Sequence, residues 1–217
     1  QLDIGLPSRN EYLRDRIIPI INSHFDNSKR FLDYAGGYGL FTRMMRDKGF
    51  DFYHTDLYCQ NIFAQYFDLK DIDNTTNFEV ITAFEVFEHL ENPLNEIQNI
   101  LNMGNNLLFT TELQPQMQFT STEDWWYFIP ETGQHISLFT EDALQFIADK
   151  LECYFYTDHK SIHLFTKKPL SHNPFIEKKS PYLIRTMQRK VNRYFSKNNP
   201  KKESLLQKDW NYIKNKI

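Results

Sequence analysis

The stretch Phe31-Leu32-Asp33-Tyr34-Ala35-Gly36-Gly37-Tyr38-Gly39-Leu40-Phe41 constrains the fold of this 217-residue chain more than any other. An apolar entry runs into an acidic residue and a glycine-rich turn, and Phe41-Thr42-Arg43-Met44-Met45-Arg46 continues at helical spacing. The pattern reads as strand, loop, helix. Glycines let backbone approach a ligand where a Cβ would clash, and the free N–H groups at a helix start favour a carboxylate or phosphate. Asp33, at the strand's carboxyl end, can accept hydrogen bonds from an amine or hydroxyl. Such a unit opens a nucleotide site.

Spacing separates the ligand classes that use this geometry. A dinucleotide fingerprint needs G-x-G-x-x-G, and from Gly37 the third glycine would fall at Thr42. The frame Asp33-x-Ala35-x-Gly37-x-Gly39 instead resembles the D-x-G-x-G-x-G first motif of class I S-adenosylmethionine (SAM) dependent methyltransferases, with alanine in place of the first glycine. A second acid, Asp56, ends the apolar run Phe50-Asp51-Phe52-Tyr53-His54-Thr55 and lies 23 residues after Asp33, where a ribose-binding acid is expected. The resemblance implies SAM as cofactor, held by Asp33, Tyr34, Ala35, Gly36, Gly37, Gly39, Asp56 and Leu57, with Phe84 and Glu85 contributing from a later strand end. A chance glycine turn is the competing reading.

Composition sets the outer bounds. With 41% hydrophobic and 16% aromatic residues the chain is globular and long enough for one core plus an appendage. It carries no apolar run of the ~20 residues that span a bilayer and no leader-like start, so a cytoplasmic protein is expected, although a first residue of Gln suggests a trimmed start. Cys59 and Cys153 read as two reduced thiols. The net charge of −3 hides an asymmetry: residues 1–166 hold 11 Lys/Arg and 25 Asp/Glu, residues 167–217 hold 14 and 3.

Along the chain, Leu13, Ile17, Ile20 and Ile21 mark an amphipathic helix interrupted at Pro19. Only 12 residues separate Asp56 from Asp68, too few for a full helix plus a third strand, and Asp68 is a candidate adenine contact. Phe78–Phe84 reads as a buried strand; Asn92-Pro93 opens a helix buried through Leu94, Ile97, Ile100 and Leu101; and Leu107–Thr111 forms the next strand. Thr140 caps a helix with Leu144, Ile147, Ala148 and Leu151 on its apolar stripe, and residues 152–157 and 161–166 form a closing hairpin. The expected fold class is α/β: a Rossmann-like, doubly wound, mostly parallel sheet with a closing antiparallel hairpin over residues 1–168, then a basic helical extension over 169–217.

Two segments carry candidate chemistry. Glu85-Val86-Phe87-Glu88-His89-Leu90 places Glu85, Glu88 and His89 at i, i+3 and i+4, one face if the segment is helical. It is similar to the E-V-x-E-H-L segment of many class I methyltransferases. In small-RNA 2′-O-methyltransferases and ubiquinone-pathway O-methyltransferases that arrangement binds a divalent metal, so Glu85, Glu88 and His89 are metal candidates; capping of a helix is the alternative. The second segment, Trp125-Trp126-Tyr127-Phe128 onward to Phe139, puts four consecutive aromatics in a connection over the sheet's carboxyl edge, where apolar walls exclude water from a ligand. Trp125, Trp126, Tyr127 and Glu112 are accordingly assigned to the acceptor, and His135, after a glycine on this loop, is the candidate base or metal ligand. A histidine bonded into the loop's own backbone is the competing reading. Together these segments resemble a bacterial group with type 11 and type 23 methyltransferase domains, often associated with surface polysaccharide and glycan pathways, over residues 30–166.

In the tail, Leu183, Met187, Val191 and Tyr194 form one helical stripe and Arg185, Arg189 and Arg193 another. Packing against the acidic domain is expected, with peripheral contact to an anionic membrane as a further option and nucleic acid resting on charge alone. The overall expectation is transfer of the SAM methyl group to a small-molecule or glycan-linked acceptor, through oxygen. The rivals are an RNA 2′-O-methyltransferase and a non-catalytic SAM-fold protein docked in a glycan-assembly complex.

Overall fold

The computed structural model describes residues 5–73, 77–176 and 202–216. The basic stripe predicted for residues 180–195 lies outside them. Helix α1 (Leu6–His24) leads into β1 (Arg30–Tyr34), α2 (Leu40–Asp47) and β2 (Asp51–Thr55). Then come β3 (Val80–Ala83), α3 (Pro93–Asn102), β4 (Asn106–Thr110), α4 (Glu141–Lys150), β5 (Tyr154–Thr157), β6 (Ile162–Thr166) and α5 (Leu206–Lys214).

One six-stranded sheet runs β2-β1-β3-β4-β6-β5. The first four strands are parallel, and β6 pairs antiparallel with both β4 and β5. The expected mostly parallel sheet with a closing hairpin is what forms. Burial on both faces explains the apolar runs: all of β3, β4 and β6 is buried. On one face Ile97, Ile100 and Leu101 of α3 and Leu144, Ile147 and Ala148 of α4 pack on Leu32, Ile81 and Leu107. On the other, Leu13, Ile17 and Ile21 of α1 and Phe41 and Met45 of α2 cover Phe31, Phe52 and Val80.

Two local expectations need correction. Helix α1 continues through Pro19, because Pro19 faces solvent, where water can take the carbonyl its missing N–H leaves free. Leu94 is 38% exposed, so the buried stripe of α3 starts at Ile97. The third strand is reduced to a single parallel bridge between His54 and Asp68, as the short spacing foreshadows.

The described part of the extension is fastened by an acid. Asp209 of α5 is 2% exposed and takes both Arg46 Nε and Nη2, at 2.9 and 2.8 Å, and Arg43 Nη1 at 2.9 Å. The polarity is the reverse of what bulk charge suggests, since here the basic tail supplies the carboxylate and the acidic domain the cations. A buried pair is set by which groups lose water together, and net charge acts only at long range.

Candidate active site

The parallel strands β1, β2, β3 and β4 deliver their ends, Tyr34, Thr55, Ala83 and Thr110, to one edge of the sheet. Between β1 and β3 the connections diverge to opposite sides, the place where doubly wound sheets bind ligands. The glycine loop grows from this point. Gly37 and Gly39 are left-handed, at φ +58° and +81°, and Ala35 shares that region at +52°. A Cβ on Gly36 would sit 2.4 Å from Asp33 Oδ2, and one on Gly39 would sit 2.3 Å from Asn61 Oδ1. These are close approaches that only glycine allows.

Asp33 lies beneath the loop. Its Oδ2 accepts from Thr42 Oγ1 at 3.0 Å and its Oδ1 from Thr82 Oγ1 at 2.9 Å. Burial pushes its pKa up to about 6, opposed by the Thr82 bond and the His54 charge. Its two oxygens each take one threonine hydroxyl, which fixes the carboxylate beneath the loop and leaves further acceptor capacity. Asp56 stands beside the loop: Oδ2 accepts from Gly37 N at 2.9 Å, and Oδ1 from the backbone N–H groups of Tyr58 and Cys59 at 2.7 Å. A cavity of about 460 Å³ opens along His54, Asp56, Asn61, Asp68 and Leu69. Tyr34 is half-buried, Phe84 packs edge-on against Phe41 at 5.0 Å, and Leu57 is 86% exposed.

Across the sheet edge lies a second cluster. The segment after β3 is not the helix that the i, i+3, i+4 spacing presupposed. Glu85 adopts φ +56°, and only Phe87–His89 form a 3-10 turn. Thr110 explains the bend, since its hydroxyl accepts from Glu85 N at 2.8 Å and donates to Glu85 Oε1 at 2.9 Å. Glu85 is thereby drawn to the end of β4, while Phe87, stacked on Phe109 at 3.9 Å, anchors the turn in the core. The ligand atoms that come together, all within 4.8 Å, belong to Glu88, His89 and His135. The connection after β4 makes this possible: Ile136 N and Ser137 N donate to Glu88 O at 2.8 and 3.0 Å, and Ser137 Oγ donates to Leu90 O at 2.6 Å.

Each imidazole is oriented through one nitrogen. His89 Nδ1 bonds Gln134 O at 2.9 Å and His135 Nδ1 bonds Tyr127 O at 2.6 Å, so in each ring Nε2 is left to bind something else. For His135 both sequence readings therefore meet in one ring. Burial, and then the neighbouring His89, lower the His135 pKa, which favours the neutral, ligating form.

Glu88 is fully buried, and neither carboxylate oxygen makes a well-formed hydrogen bond among the described residues; the Tyr127 hydroxyl is the side-chain group that approaches it. Burial, reinforced by the Glu85 charge, pushes its pKa up to about 7. The buried hydroxyls of Tyr127 and Thr111 approach each other without a well-formed bond, and burial followed by the Glu88 charge raises the Tyr127 pKa strongly. A carboxylate and two oriented imidazoles form a mixed oxygen and nitrogen set that suits a divalent cation, and the orphaned Glu88 oxygens are what a cation would satisfy.

The aromatic connection divides between core and surface. Trp125 and Tyr127 are 6% and 2% exposed and pack on each other and on Phe119, Phe128 and His135. Trp126, at 69%, is exposed. Of the three rings assigned to the acceptor, only Trp126 is presented to solvent; the other two build the wall behind His135. Glu112 is half-buried just past β4, its pKa raised mainly by burial. Sequence reasoning missed Thr110 and Thr111, which sit at the strand end without a motif, and treated His54 as structural background.

The family of methyltransferase domains matches residues 8–154, and the chain belongs to it. Its domain is therefore of the methyltransferase class, on a Rossmann-like sheet. Among solved structures, TnmH superposes with a TM-score of 0.50 at 12% identity, over 76% of this chain and 57% of that one. CalO1, a methyltransferase of calicheamicin biosynthesis with SAH bound, gives 0.49 at 10% identity, over 72% of this chain and 54% of that one. The N-terminal domain of EvdMO1 with SAH bound gives 0.46 at 10%, over 74% and 80%. The chain thus spans little more than half the length of the first two. No curated protein matches it significantly. No helix among the described residues is long and apolar enough to cross a membrane.

Proposed function

We propose that the protein transfers the methyl group of SAM to a hydroxyl of a small-molecule or glycan-linked acceptor. The observation that carries this reading is the facing of two sites across one sheet edge: the glycine loop with Asp56, and the Glu88, His89 and His135 cluster. The glycine loop and Asp56 would hold SAM, Asp56 taking the ribose hydroxyls and the Asp68 and Leu69 side of the cavity the adenine. Methyl transfer is an in-line displacement, so the protein's task is to hold the acceptor oxygen ~3 to 3.5 Å from the sulfonium methyl in a dry pocket and to receive its proton. With no metal bound, neutral His135 would do the latter through Nε2. With a divalent metal held by Glu88, His89 and His135, that Nε2 would be a ligand and not a base; the metal would lower the pKa of the acceptor hydroxyl and the proton would pass to solvent, with Glu85 left on Thr110. Trp126 and Glu112 then meet the acceptor, and the buried Trp125 and Tyr127 exclude water.

The test is isothermal titration with SAM and its demethylated product, followed by methyl release from a panel of sugars, glycan-linked acceptors and RNA, with and without chelator. Binding plus turnover on a hydroxylated small acceptor supports the reading. Turnover on RNA alone replaces the acceptor class, and binding without any turnover favours the docking protein.

A further inference from the structure

Where a third strand would pair with β2, side chains from the far end of the chain take its place. β2 is an edge of the sheet, and Phe52 and His54, two residues apart, turn their backbone polar groups to the same outer side. His54 N donates to Phe67 O at 2.8 Å. Phe52 O instead accepts from Arg46 Nη1 of α2 at 2.8 Å, and the same nitrogen meets Asp51 Oδ1 at 2.7 Å. The guanidinium carbon of Arg46 lies 3.7 Å from the centre of the Phe67 ring, while its Nε and Nη2 are held by Asp209 of α5 at 2.9 and 2.8 Å. One buried cation thus joins α2, β2, the segment at Phe67 and α5. We propose that Asp209 is a positioning residue for the cofactor: by fixing Arg46 it makes α5 a strut for the Phe67–Asp71 wall of the cavity beside the glycine loop.

The wall depends on fixed points because it has open space on both sides. Asp68 and Leu69 line the cavity of about 460 Å³ proposed for the adenine. A second cavity, of about 390 Å³, lies between the same segment and α5, with Arg46, Phe67, Asp209 and Tyr212 in its lining, and Tyr66 and Asp71 border both. Beyond Phe67 the backbone bonds to itself, Asp71 N to Asp68 O and Asp68 N to Asp71 Oδ2, each at 2.9 Å. The Phe67 ring, 5% exposed, is set by Arg46, by Tyr53 at 6.4 Å and by Tyr212 of α5 at 5.8 Å. Where that ring sits decides where Asp68 and Leu69 sit. The chain leading into α5 is seated on the same turn: Leu205 N donates to Arg46 O at 3.0 Å, and a Cβ on Gly49 would come 2.4 Å from Glu203 O.

Removing one partner of a buried ion pair leaves the other uncompensated, which costs far more than the pair itself contributes. Without the Asp209 carboxylate, Arg46 keeps Asp51 and Phe52 O but loses its tie to α5, and it moves toward water. Phe67 then loses its cation and, with α5 adrift, the Tyr212 ring. The wall samples other positions, and the apparent SAM affinity falls by the fraction that remains competent. The bonds of α5 to Arg43 and Arg46 and its ring contact with Phe67 all lie on the cofactor half of the sheet edge, so the handling of the acceptor is left as it was.

The strut rests on SAM being the cofactor, and a first readout needs no SAM. In hydrogen exchange of the free full chain, Asp209→Asn should speed the amides of His54 and Asp71, which bond Phe67 O and Asp68 O, by about tenfold, while those of Ile136 and Ser137, bonded to Glu88 O, keep their rates. SAM titration should then show affinity lowered by about tenfold, the size of one hydrogen bond to a charged group. In turnover the KM for SAM should rise while kcat at saturation and the KM for the acceptor hold, and Asp209→Glu should recover part of the loss. If Asp209→Asn does not fold, Tyr212→Ala removes a ring that is 40% exposed and should give the same pattern at a few-fold. Unchanged exchange at His54 and Asp71, an equal rise at Ile136 and Ser137, or a loosened wall with full SAM affinity each overturns the proposal. A wall loosened in a chain whose unaltered form never binds SAM upholds the strut and removes the cofactor reading.

Discussion

The two halves of the sheet edge treat buried polarity in opposite ways. On the cofactor side Asp33, Thr42, Thr82, His54 and Asn61 are all buried, and each has a hydrogen-bond partner. On the opposite side Glu88, Thr111 and Tyr127 are as deeply buried, and their side-chain oxygens make only incomplete approaches to one another. An orphaned buried carboxylate is costly, and a fold keeps one where something else completes it. The contrast teaches where preorganisation is intrinsic to the chain and where it awaits a ligand. The glycine loop is completed by its own side chains, whereas on the proposed reading the Glu88 cluster would be completed by a cation, a proton or the substrate.

The largest expected effect breaks the comparison on the acceptor side. Glu88→Gln and His135→Ala should each lower turnover by roughly 10²- to 10⁴-fold, the range for losing a positioned acid, base or metal ligand. SAM affinity should stay within a few-fold, because the loop and Asp56 are untouched. A chelator should reproduce the loss in the unaltered protein and added Mg²⁺, Mn²⁺ or Zn²⁺ should reverse it, with no rescue in Glu88→Gln. Full activity in chelator would reject the metal and leave His135 as the base.

The next effect concerns stability in chelator. The folded-state pKa of Glu88 is raised from 4.5 to about 7, so the folded protein holds this proton more tightly than the unfolded chain does. The associated stability is present below the unfolded value and is lost as pH rises through about 7, a loss of ~3 kcal/mol for a shift of this size. Glu88→Gln cannot ionise. Urea titrations at pH 5 and pH 8 should therefore show the variant gaining on the unaltered protein as pH rises. A gap that stays constant would mean the carboxylate is compensated after all, and the contrast between the halves would vanish.

On the cofactor side, Asp56→Ala should weaken SAM binding by about 10- to 150-fold, equivalent to the ~1.5 to 3 kcal/mol of hydrogen bonds to a charged group. Part of that loss would come through the loop, because Asp56 also holds the backbone N–H groups of Gly37, Tyr58 and Cys59. Titration calorimetry that returns an unchanged affinity would remove Asp56 from the cofactor site.

How far the sequence foretold this differs between the halves for a physical reason. The glycine loop and both strand-end acids lie within a short stretch, and local rules for strand, turn and helix are enough to read them. The acceptor cluster is assembled by bonds from Ile136 and Ser137 back to Glu88, nearly fifty residues earlier, and local spacing carries no trace of those bonds. The i, i+3, i+4 argument found Glu88 and His89 but put Glu85 with them, since it could not see Thr110 pulling Glu85 into a left-handed bend. His135 is singled out by its residue type and loop and grouped with Glu88 and His89 as a candidate ligand; the backbone bonds that bring it beside them are not legible. His54 reads as structural from the sequence, because a lone histidine in a strand carries no further signal until the fold brings Asp68 and Gly37 to its two nitrogens.

The smallest effect sharpens the comparison at the residue where this chain departs from the glycine-loop pattern. Ala35 occupies φ +52°, a region that costs an L-residue ~1 to 2 kcal/mol and glycine almost nothing. Replacing it by glycine relieves that strain, but it frees the unfolded chain by ~0.4 to 1 kcal/mol. It also withdraws a methyl group packed against the core, a loss of up to ~0.8 kcal/mol. The terms nearly cancel, so Ala35→Gly should change stability by less than ~1 kcal/mol, a shift of at most ~4 °C in a domain of this size. SAM affinity should be unchanged or slightly better, because no contact is removed from Asp56, Gly37 or His54 and the loop loses only a Cβ. A thermal melt and a SAM titration on the same sample decide it. If affinity drops severalfold while stability holds, the methyl group is itself part of what holds the loop, and the cofactor side depends on side-chain packing at Ala35 as well as on its hydrogen bonds.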